Sequence, residues 1–149
     1  MASYLFGGRA IEEEAVEDIA DVFEHRTGEK PEVHSEGGVT VISSRPGIEQ
    51  GELQVAFNGY LLGRQEEPEK VVARLYREKG PELVEELEGQ FRYLVYDSDR
   101  DRFTASADVA GRKVVYYTGT GSGLVCSSHL APILRPGGVE AEASREGIS

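Results

Sequence analysis

The side chains able to do chemistry are few in this chain and widely spaced. Cys126 is the sole cysteine, which excludes an intrachain disulfide and a multi-cysteine zinc site, and its apolar neighbours suit a thiol packed as a small hydrophobe. His25, His34 and His129 lack the short spacings by which imidazoles converge on a metal, so no metal site is expected. Asp97, Asp99, Asp101 and Asp108 stand at the first, third, fifth and twelfth positions of a calcium-loop pattern, but Arg102 stands where that loop needs glycine. An acidic hairpin turn is the better reading. Gly119-Thr120-Gly121-Ser122-Gly123 lacks the lysine and the following helix of a phosphate-cradling loop, which leaves a hairpin tip. Asn58-Gly59 reads as a turn closing a strand, because both residues accept left-handed backbone geometry. Arg45 reads as a solvated loop arginine. None of these groups calls for a cofactor.

The elements that position these residues follow from periodicity and turn chemistry. Ser3 to Phe6 is an apolar run ended by Gly7-Gly8 and reads as a buried first strand. Ile11, Ala15, Ile19, Val22 and Phe23 recur at spacings of three and four, which predicts an amphipathic helix closed by Gly28 and Pro31. Val39 to Ile42 and Leu53 to Phe57 read as strands. Pro68 and Pro81 open two short helices separated at Gly80. Phe91 to Tyr96 is almost continuously apolar, as in a strand buried on both faces, and a hairpin leads from it into Arg102 to Ala107. Val114 to Tyr117, expected in the core, and Leu124 to Cys126 form a second hairpin. Leu130 to Leu134 reads as a short helix. This order lacks the alternation of a doubly wound sheet, and both helix groups must cover sheet faces, so an α+β sandwich follows.

Length and charge narrow the function. The 149 residues allow one domain, and 16 Lys+Arg against 27 Asp+Glu give a net charge of −11. Such a surface repels phosphate backbones and anionic lipid, which argues against nucleic-acid and membrane partners. The absence of a signal segment and the single thiol fit a cytoplasmic protein. With 12 Arg to 4 Lys, the acid-rich surface also suits adaptation to high salt.

The passage Leu75 to Asp97 resembles the glutaminase domain of asparagine synthetases, a class II glutamine amidotransferase, which runs helix, Gly, helix, Leu-x-Gly-x-Phe and then a buried aromatic strand ending in Asp. Phe57-Asn58-Gly59 resembles that family's Asn-Gly-Glu strand end. Asp108 to Tyr117 resembles its Asp-x-x-Gly-x-x-x-x-Tyr-Tyr segment, and Ser127-Ser128-His129-Leu130 its Ala-Ser-Glu-Leu segment. The resemblance implies the four-layer α/β/β/α fold of N-terminal-nucleophile hydrolases, with residues 1–136 as a glutaminase-like domain and 137–149 as a tail or the start of a linker.

It also implies a site, and departures from it. The family's nucleophile is a cysteine exposed by removal of the initiator Met, whose thiolate attacks the glutamine side-chain amide. Here Ala2 holds that position, and a methyl group cannot form the thioester. Ser3 is a remote substitute, because a one-residue shift along a strand turns a side chain to the other face. The resemblance maps the oxyanion donors onto Asn58 and Gly59, and the arginine that holds the substrate carboxylate onto Arg45. It maps the two carboxylates that hold the substrate ammonium onto Tyr60 and Pro68, neither of which is acidic. The expectation is a degenerate, non-catalytic glutaminase-like domain, as in the vestigial domains of β-lactam synthetases. The alternative is an active glutaminase supplying ammonia. The implied partner is a synthetase domain of the ATP-pyrophosphatase type, in cis or in trans, or a second copy of the chain. The ATP-binding Ser-Gly-Gly-x-Asp-Ser motif does not occur in the 149 residues. A docking face is expected near Asp108 to Tyr117.

Overall fold

The computed structural model describes residues 5–9, 11–36, 38–44, 47–108, 115–120 and 123–129. Ala2, Ser3 and Arg45 lie outside these residues, as do the expected helix at 130–134, the boundary at residue 136 and the tail.

Helix α1 (Glu13–Thr27) follows the predicted periodicity and buries Ile19 and Phe23. Glu13 and Glu14 occupy its first turn and His25 and Arg26 its last, the arrangement the helix dipole favours. It stops at Gly28, whose φ of 75° is available to glycine at little cost and whose N–H returns to the Glu24 carbonyl at 2.7 Å.

Strands β1 (Leu5–Arg9), β2 (Glu32–Glu36) and β3 (Val39–Ser43) join the first sheet, and strands β4 (Ile48–Gln50) and β5 (Leu53–Leu61) the second. Helix α2 (Pro68–Lys79) and a 3-10 helix (Gly80–Glu86) intervene before β6 (Gly89–Asp97), β7 (Arg102–Ala107), β8 (Tyr116–Thr120) and β9 (Gly123–Ser127). The first sheet has the order β2-β3-β1-β9-β8 and the second β4-β5-β6-β7. Every strand pair in both is antiparallel.

Period-two alternation then sorts the side chains into layers. Phe6, Ile42 and Val125 face α1 and pack on Ile19 and Phe23. Leu5, Ala56, Leu94 and Cys126 meet between the sheets. Leu53, Val55, Phe57, Phe91, Tyr93 and Val95 face α2 and the 3-10 helix, where they meet Val72, Leu75 and Leu83. The Phe57, Phe91 and Tyr93 rings stack in series at 6.1 and 6.0 Å. The product is an α/β/β/α sandwich: the element order implied the α+β sandwich, and the resemblance its four layers.

Four expectations need correction. Gly7 and Gly8 do not end β1; they lie inside it, and a Cβ on Gly7 would collide with the Phe103 ring and Leu94. Glycine is there because the two sheets press together at that point. The second predicted helix after Gly80 is a 3-10 helix that buries Leu83. Strands β2 and β4 were not foreseen; both are short edge strands, and β2 (Glu-Val-His-Ser-Glu) is polar. Tyr116 and Tyr117 are not core: they are 42% and 76% exposed on edge strand β8, whereas Val115 packs between the sheets. Val114 lies outside the described residues.

Candidate functional site

The Asn-Gly pair sits at the far end of β5. Asn58 follows Ala56 by two residues, so its side chain enters the layer between the sheets, where it is completely buried. Arg92 stands directly opposite on β6, two residues before Leu94, and enters the same layer. Its Nε–H donates to Asn58 Oδ1 at 3.1 Å. The Asn58 Nδ2 group donates to the Phe57 carbonyl at 3.1 Å and to Ser44 Oγ at 3.4 Å. Both contacts fix the same orientation of the amide, since a guanidinium only donates and a carbonyl only accepts. Asn58 is therefore neither exposed nor a turn residue. Its amide is built into the interior.

Gly59 has a φ of 104°, and a Cβ there would run into the Gln90 carbonyl and Phe91 Cα. Across from it, Phe91 directs both of its backbone polar groups to Asp108: its N–H donates to Asp108 Oδ2 at 3.1 Å, and its carbonyl accepts the Asp108 N–H at 2.9 Å. The Gly59–Phe91 pair is thus of the non-hydrogen-bonded type, and the Gly59 amide has no ladder bond to β6. The reading of Asn58-Gly59 as a strand-closing turn is corrected, because β5 continues to Leu61.

Tyr60 is half-exposed beyond this point. Pro68 opens α2, in the layer outside the second sheet, and so belongs to the face of β5 opposite Asn58. The structure brings Asn58, Gly59 and Tyr60 together on one strand and sets Pro68 apart from them.

One neighbour, Arg92, was missed from sequence, and Ser128 and His129 of the family-like segment lie close by. Arg92 is a lone charge in an apolar run, which was the available signal, and burial pulls its pKa downward. Ser128 and His129 follow β9: Ser128 Oγ accepts the Leu5 N–H at 2.9 Å and shares a 2.8 Å hydrogen bond with His129 Nδ1. The His129 ring meets Phe23 edge-on at 5.7 Å. Burial, with added repulsion from Arg92 and Arg26, pushes its pKa below the ordinary value. These groups tie the start of β1 to the end of β9.

The other groups fall elsewhere. His34 pairs with Glu49 at 2.9 Å, joining the edges of the two sheets. Asp97 Oδ1 accepts the N–H groups of Asp99 and Arg100 at 3.1 and 3.3 Å, closing the β6–β7 turn. Asp101, with a φ of 50°, accepts Arg9 Nη1 at 2.7 Å and the Tyr96 hydroxyl at 2.8 Å. Of the calcium-like pattern, the carboxylates of Asp97, Asp101 and Asp108 are thus engaged by protein partners. Cys126 is buried with its thiol 3.5 Å from the Gly7 carbonyl, as the packing reading required.

Two antiparallel sheets face to face, each backed by helix, define an α/β/β/α sandwich of the N-terminal-nucleophile hydrolase type. The profile of the family described as glutamine amidotransferase domain matches residues 62–149, more than half of the chain, and the chain belongs to that family. Individual proteins agree. Asparagine synthetase B [glutamine-hydrolyzing] of Escherichia coli is 40% identical over 42 residues, which are 28% of this chain and 8% of that protein. A probable asparagine synthetase [glutamine-hydrolyzing] of Schizosaccharomyces pombe is 38% identical over 47 residues, 32% of this chain and 8% of that protein. Asparagine synthetase [glutamine-hydrolyzing] 3 of Bacillus subtilis is 31% identical over 80 residues, 54% of this chain and 13% of that protein. The matched segments thus span at most 13% of these relatives' length. Among the described residues, no helix is long and apolar enough to cross a membrane.

Proposed function

We propose that this chain is a degenerate glutamine amidotransferase domain that serves in architecture or interaction and does not hydrolyse glutamine. The observation that carries the reading is the saturation of the Asn58 amide. An oxyanion hole needs donors aimed at the position where negative charge develops. The Asn58 donors are instead engaged by the Phe57 carbonyl and Ser44, and its oxygen by Arg92. The resemblance supports the same conclusion from other residues: Ala2 carries no nucleophile, and Tyr60 and Pro68 offer no carboxylate to an ammonium group. The partner is a synthetase domain, in cis or in trans, or a second copy of the chain; the relatives are named as asparagine synthetases.

The test is glutamate release from glutamine by the purified chain against a no-protein blank. The expected result is no release above the blank. Ala2→Cys alone should not restore hydrolysis, since the substrate ammonium would remain unpaired. Enzyme-dependent release by the natural chain would establish the alternative, an active glutaminase.

A further inference from the structure

We propose that Arg92 is a built-in occupant of the layer between the sheets at Asn58, and that it is the positioning residue that holds the Asn58 amide in its inward-bonded orientation. The proposal deepens the reading of a retired site and rests on it. The β5–β6 register sets Arg92 opposite Asn58, and strand alternation turns both side chains toward the other sheet. Arg92 is 7% exposed and Asn58 0%, so the guanidinium fills space that a small molecule would need in order to reach the amide. A planar guanidinium with only donors selects the carboxamide oxygen. The NH2 group is thereby turned to the Phe57 carbonyl and Ser44. Arg92 thus acts through Asn58: it sets which end of the amide faces the interior and removes the amide as a donor to any ligand.

Asn58 is the sole asparagine of the chain, so asparagine-selective isotope labelling reports one side-chain NH2 pair. In the natural chain that pair should give two resolved signals whose hydrogen exchange is slowed about a hundredfold relative to the urea-unfolded chain, as expected for a buried, bonded group. In Arg92→Met, which keeps bulk but removes the donors, exchange should accelerate by about tenfold and both signals should move. Arg92→Lys, which keeps charge but not the planar fork, should behave like Arg92→Met. In Arg92→Ala, millimolar methylguanidine should restore the slow exchange, while it leaves the natural chain unchanged. Slow exchange retained in Arg92→Met would overturn the proposal. If that variant fails to fold, fast exchange in the natural chain, or absence of rescue by methylguanidine in Arg92→Ala, would do the same. Glutamine hydrolysis by the natural chain would instead overturn the functional reading, and the amide measurement would still judge Arg92.

Discussion

Asn58 and Gly59 show how two adjacent residues of one strand are constrained by different physics. Asn58 is constrained by hydrogen bonding, because a buried amide must satisfy both ends. Gly59 is constrained sterically, because its φ of 104° and the nearby Gln90 carbonyl exclude a Cβ. Gly59→Ala should therefore cost about 2 kcal/mol or more, combining strain with a backbone clash. The shift of the urea midpoint measures it, and an unchanged midpoint would contradict the geometry. Cys126 presents a third constraint. Burial raises its thiol from the ordinary 9.0 to about 12, and Tyr93 rises from 10.0 to about 12 for the same reason. Both groups hold their protons longer when folded, so their contribution is fully present below about 9 to 10 and is lost as pH climbs toward about 12. Stability should fall across that window. At pH 8, iodoacetamide should modify Cys126 only in the unfolded chain; labelling of the folded protein would show that the thiol is accessible.

At the level of elements, the contact of β1 with the second sheet governs how closely the layers approach. A side chain at Gly7 would press on Phe103 and Leu94, so Gly7→Ala should destabilise by about 1–3 kcal/mol. Phe103→Leu, which withdraws the end of the ring, should recover part of that loss in the double variant, with a coupling of about 0.5 kcal/mol or more. Simple additivity of the two would mean that the layers are not in register at this point. The helices were easier to read than this contact. Ile19 and Phe23 repeat at helical spacing, and Gly28 marks the stop by its own backbone freedom. Edge strands β2 and β4 gave no such signal, because a strand with few apolar residues is specified by its neighbour's hydrogen bonds rather than by its own pattern.

For the whole molecule the dominant global term is charge. With a net charge of −11, self-repulsion opposes compaction and weakens as ions shorten the Debye length to about 3 Å at about 1 M salt. The melting temperature should rise from low to molar salt. A flat or falling profile would indicate that the acidic residues are already offset by local pairs such as Glu66–Arg74 at 2.6 Å and Glu52–Arg77 at 3.0 Å.

The sequence by itself determined the α+β class, both α-helices and the two long central strands. Each of these is a property of residue type or of near-neighbour spacing, which survives without knowledge of the fold. Tertiary structure alone decided that Gly7 continues a strand, that Tyr116 and Tyr117 face outward, and that Asn58 is bonded to Arg92 across 34 positions of sequence. Those outcomes depend on which distant strands pair and how closely two sheets stack. No local period encodes either quantity, because strand register and layer spacing are set jointly by residues far apart in the chain.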